Sequence, residues 1–105
     1  MKPYNKTFLL NKIKDALMRV DSGIKIILYG SRARGDWNKE SDWDILVLVD
    51  GNKKKNLEKK IRDVIFEIEL ETEQPISTLI YSKEEWDELE VSPLYKNVQS
   101  EGVLL

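Results

Sequence analysis

The sequence predicts an α/β (α+β) fold, in which a small mixed β-sheet is flanked by helices within a single domain over residues 1–105. Short apolar runs rich in β-branched residues alternate with longer segments whose apolar residues recur at helical spacing. The chain has 105 residues, which is enough for one modest core and too few for two domains. Its residues are 41% hydrophobic and 34% charged, a balance that suits a soluble globular protein.

The first predicted helix covers residues 7–20, where apolar residues recur on one helical face. These residues are Leu9, Ile13, Ala16, Leu17 and Val20. Asp21-Ser22-Gly23 ends the helix, and the apolar run at residues 24–29 is predicted to be a buried strand.

A turn at Gly30-Ser31 follows this strand, because glycine allows backbone conformations and close approaches that a Cβ would block. Arg32-Ala33-Arg34 favours a short helical segment, which Gly35 stops. The second buried strand is predicted over residues 45–49.

The second long helix is predicted from Lys53 to about Glu71, after a turn at residues 50–52. Its apolar face consists of Leu57, Ile61, Val64, Ile65 and Ile68. Residues 75–81 are predicted to form the third strand.

Two short helices and an apolar tail are predicted after the third strand. Ser82-Lys83-Glu84-Glu85 is a capping-box sequence that starts one helix. Ser92-Pro93 starts the other, because proline suits the first turn of a helix. Gly102 ends that helix, and residues 103–105 are predicted to be a short apolar tail.

The segment between the first two strands carries the chemistry. The Gly30-Ser31 turn offers a hydroxyl and free backbone N–H groups to an anion, and the expected anion is a polyphosphate. Asp42 and Asp44 are two residues apart, so their carboxylates project from the same face of an extended strand. Two carboxylates so close repel each other unless a cation lies between them. Because Mg²⁺ prefers carboxylate oxygens together with substrate phosphates, the segment predicts a Mg²⁺–nucleotide site.

For several side chains near this site, the sequence allows either a role in binding the nucleotide or an ordinary structural role. Arg32, Arg34 and Lys39 add positive charge around the predicted polyphosphate, although a solvated surface cation is an equally ordinary role for each. Trp37 and Trp43 could stack on a nucleobase, but packing under the loop is the favoured role for both.

The composition excludes several other kinds of site. The chain has no cysteine, which excludes disulfides and zinc–thiolate sites, and no histidine, which excludes the commonest general base. A formal net charge of −2 provides no overall basic surface, so direct binding of nucleic acid is not expected. No segment approaches the length of a membrane span and no signal peptide is visible, so no membrane contact is expected and the cytoplasm is the expected location.

The spacing Gly30-Ser31, ten residues, Asp42-x-Asp44 resembles the signature of the DNA polymerase beta-like nucleotidyltransferase superfamily. The fuller pattern GSRARG…SDWDILV and the short length resemble the minimal nucleotidyltransferases of prokaryotes. The resemblance implies transfer of a nucleoside monophosphate from a nucleoside triphosphate, with ATP as the expected donor, to a hydroxyl acceptor. It also implies a mixed sheet with the carboxylates at its rim.

The resemblance further implies roles for single residues. Asp42 and Asp44 would be the catalytic residues and hold Mg²⁺, in a site that has room for two metal ions. The implied nucleotide-binding residues are Gly30, Ser31, Arg32 and Arg34.

One part of the family pattern is missing. Active members normally carry a third carboxylate on the strand after the long helix, where it joins the metal site. The predicted strand at residues 75–81 has no Asp or Glu, and Ser77 stands about where the acid would be. Glu69, Glu71 and Glu73 are predicted to face solvent at the end of the helix. The alternative function is therefore a catalytically degenerate module that binds a nucleotide or a partner.

The resemblance also suggests partners. Members of this family often act beside a helical HEPN-type protein, as the antitoxin of a toxin–antitoxin pair, and some modify a tyrosine of that protein. A chain of 105 residues is short for building a whole substrate pocket, which favours a protein acceptor or a homo-oligomer.

Overall fold

A computed structural model describes residues 5–38 and 40–105, so Lys39, one of the predicted cations, lies outside the described residues. Its elements in chain order are α1 (Lys6–Val20), β1 (Lys25–Tyr29), α2 (Ser31–Arg34), β2 (Trp43–Val49), α3 (Lys54–Thr72), β3 (Ile76–Ser82), α4 (Lys83–Glu88), α5 (Pro93–Glu101) and β4 (Val103–Leu104). All the predicted helices and strands are present, and their ends lie within a residue or two of the predicted ones. β4 is an addition, formed by two residues of the segment that was predicted to be a short apolar tail.

The four strands form one sheet in the order β3-β2-β1-β4. β1 runs antiparallel to both β2 and β4, whereas β2 and β3 run parallel. A parallel pair needs a long crossover connection, and α3 supplies it. The predicted mixed sheet flanked by helices is therefore confirmed.

Each face of the sheet is covered by a different pair of helices, because successive strand residues point to opposite faces. One face packs against α1 and α3 and contains the larger core, to which both long helices contribute the apolar faces predicted for them. The other face packs against α4 and α5 through a smaller cluster. The buried members of that cluster are Leu46, Leu48, Trp86 and Val98.

Side chains cap α4 and α5, the two helices that cover the smaller cluster. Ser82 and Glu85 form the predicted capping box at the start of α4, each side chain accepting a hydrogen bond from the other residue's backbone N–H. Ser92 caps α5, which has Pro93 in its first turn as predicted. None of the described helices is both long and apolar enough to cross a membrane.

Candidate active site

The loop between β1 and β2 starts at Gly30, which has a backbone conformation almost confined to glycine. Its φ is 76° and its ψ is −161°. A Cβ built on Gly30 would also collide with the Oδ2 atom of Asp44. The turn at the end of β1 is therefore in direct contact with a carboxylate at the start of β2.

The chain after Gly30 forms the single turn α2 and leaves backbone donors open at its start. The N–H groups of Ala33 and Arg34 each donate to the Gly30 carbonyl oxygen at 3.0 Å. By contrast, the N–H groups of Ser31 and Arg32 donate to no acceptor among residues 5–38 and 40–105. These two N–H groups and the Ser31 hydroxyl are the donors that the loop can offer to an anion.

The two aspartates lie at the start of β2, where Asp44 is the second residue of the strand and Asp42 immediately precedes it. Asp44 is partly buried and Asp42 is exposed. Burial raises the pKa of the Asp44 carboxyl above its ordinary value, the negative charge of Asp42 raises it further, and Arg34 lowers it in part. The two carboxylates are thus close enough to repel each other, and a bound cation would relieve this repulsion.

The donor set suits a divalent cation whose shell is completed by other oxygens. Asp42 and Asp44 supply carboxylates, and the missing side chain of Gly30 leaves space beside the Oδ2 atom of Asp44. In the part of the chain that the structure describes, no group of three or more acidic, histidine or cysteine side chains could hold a metal by itself. A cation at this pair would therefore take its remaining ligands from water or from substrate phosphates.

Hydroxyl-bearing residues flank Asp44 on both sides in the sheet. Ser77 of β3 is its partner in the parallel register, and Tyr29 of β1 is its partner in the antiparallel one. Paired residues of neighbouring strands project from the same face, so Ser77 lies beside Asp44 on one face of the sheet. Burial, followed by the charge of Asp44, raises the pKa of Tyr29 to about 12, so this phenol is protonated at neutral pH.

The three glutamates at the end of α3 differ in their surroundings. Glu69 Oε2 accepts a hydrogen bond from the Ile76 N–H at 3.3 Å, and Glu71 forms an ion pair with Lys12 at 2.9 Å. Glu73 is exposed, as predicted. The prediction that Glu69 faces solvent is wrong. Glu69 is partly buried, and its carboxylate accepts a hydrogen bond from the first N–H of β3.

Arg32 is buried between two indole rings rather than extended from the loop. Its guanidinium carbon lies 4.3 Å from the centroid of Trp37 and 4.4 Å from that of Trp43. Its Nε and Nη2 atoms donate to the carbonyl oxygen of Ser41 at 3.3 and 3.0 Å. Arg32 therefore ties the start of α2 to the residue before Asp42, and in this structure its side chain shapes the loop.

The two tryptophans differ in exposure. Trp43 is 3% exposed and donates from Nε1 to Gln74 Oε1 at 3.1 Å, in keeping with the packing role favoured for it. Trp37 is 49% exposed, so one part of its ring covers Arg32 while another remains accessible to a ligand.

Arg34 is exposed and pairs with two carboxylates. Its Nε donates to Asp36 Oδ2 at 3.2 Å, and its Nη1 donates to both carboxylate oxygens of Glu101, at 3.1 and 3.2 Å. Glu101 Oε1 also accepts a hydrogen bond from the Gly30 N–H at 3.1 Å. Glu101 was not predicted to belong to the site. The only sequence feature that could have pointed to it is weak, namely its position just before Gly102 and the short apolar run that forms β4.

Three known proteins or families resemble the chain. The sequence pattern of the nucleotidyltransferase domain family matches residues 10–105. A putative protein adenylyltransferase of Methanocaldococcus jannaschii is 39% identical over 71 residues, which cover 68% of this chain and 66% of that protein. The crystal structure of a putative nucleotidyltransferase from Sulfolobus solfataricus aligns with a TM-score of 0.59 at 21% identity, covering 92% of this chain and 76% of the other. At that identity the structural likeness shows a shared fold.

Proposed function

Because this chain belongs to the nucleotidyltransferase domain family, we propose that it transfers a nucleoside monophosphate from a nucleoside triphosphate to a hydroxyl acceptor. The observation that carries this proposal is the contact between the Gly30 turn and the Asp44 carboxylate. It puts open N–H donors for phosphate beside a carboxylate pair suited to Mg²⁺. The name of the Methanocaldococcus relative supports ATP as the donor and a protein as the acceptor.

In this proposal the loop binds the phosphates and the aspartates bind the metal ion. The N–H groups of Ser31 and Arg32 and the Ser31 hydroxyl bind the phosphates of the leaving group, while Arg34 adds a positive charge beside them. Asp42 and Asp44 hold Mg²⁺, with a second ion as an extension of the same site. When bound there, Mg²⁺ neutralises charge that develops on the phosphates during transfer.

The transfer step needs a destination for the acceptor's proton. The acceptor oxygen forms a bond to the α-phosphorus, the bond from that phosphorus to the bridging oxygen breaks, and pyrophosphate leaves. Asp42 and Asp44 are assigned to the metal, while Ser77 and Tyr29 are neutral hydroxyls at pH 7. The proton therefore passes to water, and the proposed reaction is slow.

Labelled ATP tests the proposal. The chain is incubated with Mg²⁺, candidate protein acceptors and ATP labelled on either the α- or the γ-phosphate. We expect covalent label on protein from α-labelled ATP and none from γ-labelled ATP. Asp44→Asn should abolish the transfer, and the exposed control Asp87→Asn should retain it. Absence of transfer to any acceptor would contradict the enzymatic function.

The position of Ser77 favours a second candidate function, a module that binds the nucleotide or a partner without turnover. Titration calorimetry separates the two functions. A module should bind ATP in the presence of Mg²⁺ without labelling any acceptor, and Asp44→Asn should weaken that binding by at least about tenfold.

We further propose that the acceptor hydroxyl belongs to a partner protein in the cytoplasm, with a HEPN-type helical protein of a toxin–antitoxin pair as the first candidate. Support comes from the relative named as a protein adenylyltransferase. Co-expression followed by mass spectrometry should reveal an added nucleoside monophosphate on a partner tyrosine. Sedimentation of the chain alone tests the homo-oligomer, and a monomer that modifies no partner would contradict both expectations.

A further inference from the structure

We infer that Glu101 is a positioning residue of the nucleotide site, whose carboxylate holds the Arg34 guanidinium and the Gly30 amide in the arrangement that binds the triphosphate. This inference rests on the proposed function. It extends the site from the loop between β1 and β2 to the C-terminal end of α5.

Two constraints from the fold place Glu101 beside the loop. It is the last residue of α5, and the helix is closed behind it by a hydrogen bond from the Gly102 N–H to the Val98 carbonyl oxygen at 2.7 Å. The chain then pairs with β1, with Val103 opposite Leu28 and Leu104 opposite Ile27. Continuing that antiparallel register by two residues puts Glu101 opposite Gly30.

The Glu101 carboxylate makes three hydrogen bonds in this position. One comes from the Gly30 N–H, and two come from Nη1 of Arg34. Its side chain is 18% exposed, whereas that of Arg34 is 46% exposed. Glu101 is thus the enclosed, fixed member of the pair, and Arg34 is the member that reaches towards solvent.

The same contacts leave part of Arg34 open. Asp36 accepts from Nε and Glu101 accepts from Nη1, while Nη2 has no acceptor among the described residues. The guanidinium is planar, so fixing two of its nitrogen atoms also fixes the direction of the third. Glu101 Oε1 accepts from both Nη1 of Arg34 and the Gly30 N–H, and Gly30 is in contact with the Oδ2 atom of Asp44, so Arg34 lies beside the proposed phosphate site.

A carboxylate near a triphosphate has two opposing effects. By charge alone Glu101 repels the phosphates, so removing its charge would tighten triphosphate binding. By positioning Arg34 it favours binding, so removing its charge would weaken it. We expect positioning to prevail, because both carboxylate oxygens of Glu101 bind Nη1 of Arg34 and so fix the direction of Nη2, which has no acceptor among the described residues.

The test compares Glu101→Gln with the wild-type chain by titration calorimetry. Glutamine keeps the shape and can still accept from the Gly30 N–H, but it lacks the charge that holds Arg34. We expect roughly tenfold weaker binding of ATP with Mg²⁺ and little change for AMP, which lacks the β- and γ-phosphates. In an Arg34→Gln background, Glu101→Gln should cause no further loss. Glu88→Gln, which changes an exposed glutamate of α4, is the matched control.

Unchanged or tighter ATP binding by Glu101→Gln would overturn the inference, and so would a full additional loss in the Arg34→Gln background. Glu101→Asp is the second variant, because it keeps the charge but shortens the side chain. It should also bind ATP more weakly, whereas affinity equal to the wild type would contradict positioning. If the wild-type chain itself binds no ATP with Mg²⁺, the proposed function fails, and this inference fails with it.

Discussion

At the residue scale, Gly30 and Gly35 bracket α2 but meet different requirements. Both have positive φ angles, of 76° and 89°. A Cβ on Gly30 would collide with Asp44, whereas a Cβ on Gly35 would meet nothing within 4 Å. Comparing alanine substitutions at the two positions therefore separates the free-energy cost of backbone strain from that of displacing a carboxylate.

Replacing Gly30 by alanine should cost more stability than replacing Gly35. Strain alone should cost about 1–3 kcal/mol at each position. Gly30→Ala must also push Asp44 away, so it should melt lower than Gly35→Ala and lose ATP binding, while Gly35→Ala keeps more of it. Thermal unfolding and titration calorimetry measure the two effects. Equal melting temperatures with binding retained in Gly30→Ala would contradict the contact with Asp44.

The residues of the loop differ in how far their sequence context could predict them. Gly30, Ser31, Asp42 and Asp44 could be grouped in advance because a strand, a turn and the next strand bring them together locally. The position of Arg32 could not be predicted, since a buried and an exposed arginine have the same sequence signal. What decides it is a tertiary contact, namely the two indole rings on either side of its guanidinium.

At the scale of elements, α2 and the loop after it are joined by Arg32. Lysine at this position keeps the charge but loses the planar stacking on Trp37 and Trp43 and the paired hydrogen bonds to Ser41. Arg32→Lys should therefore lower the free energy of unfolding by roughly 1–2 kcal/mol and change the tryptophan fluorescence. Arg19→Lys, at an exposed position of α1, is the control. A melting temperature like that of this control would show that the stacking is not stabilising.

The parallel pairing of β2 with β3 allows the proposed position of the missing acid, Ser77, to be tested. Ser77→Asp should add a carboxylate beside Asp44, because the two residues are partners in the register. General-base assistance is typically worth about 10²–10⁴-fold, so even partial assistance should give a measurable rise in Mg²⁺-dependent transfer.

The same rise should disappear in an Asp44→Asn background, because the two residues would share one site. Ser22→Asp, which adds the same charge at an exposed position before β1, at the end of that strand opposite to Gly30, should have no effect. A Ser77→Asp variant that binds ATP normally yet gains no activity would exclude this position as that of the missing acid.

The elements also show why β4 escaped prediction. The three longer strands and the two long helices each repeat a hydrophobic period over enough residues to be recognised. β4 has two residues, too few for any period, and it exists because α5 delivers them to the edge of β1. Glu101 therefore could not be assigned to the site, since its position depends on that pairing.

At the scale of the whole molecule, Asp44 lies on the face of the sheet that α4 and α5 cover, because it alternates along β2 with Leu46 and Leu48. The larger core on the opposite face holds β1 and β2 in place, and their register then brings Tyr29, Asp44 and Ser77 into one row. The fold thus holds Asp44 in a position that raises the pKa of its carboxyl. Holding the ionised Asp44 carboxylate in this position must therefore lower the free energy of unfolding of the metal-free protein.

The stability of the metal-free protein should fall as Asp44 ionises. The carboxyl has an ordinary pKa of 3.8 and a raised one in the native state, so between these two values the native protein binds more protons than the unfolded chain. The free energy of unfolding therefore decreases as the pH rises through this window, and the loss is complete above it. Asp44→Asn has no proton to lose and avoids the loss.

Without Mg²⁺ at pH 7, Asp44→Asn should therefore melt at a higher temperature than the wild type, and the difference should shrink as the pH falls towards 3.8. Asp87→Asn, on the exposed surface of α4, should show no such pattern. Adding Mg²⁺ should raise the melting temperature of the wild type and leave Asp44→Asn unchanged, because an ion that binds only the native carboxylate pair stabilises it by mass action. A wild type that is the more stable of the two at pH 7 without Mg²⁺ would show that Asp44 carries no such cost.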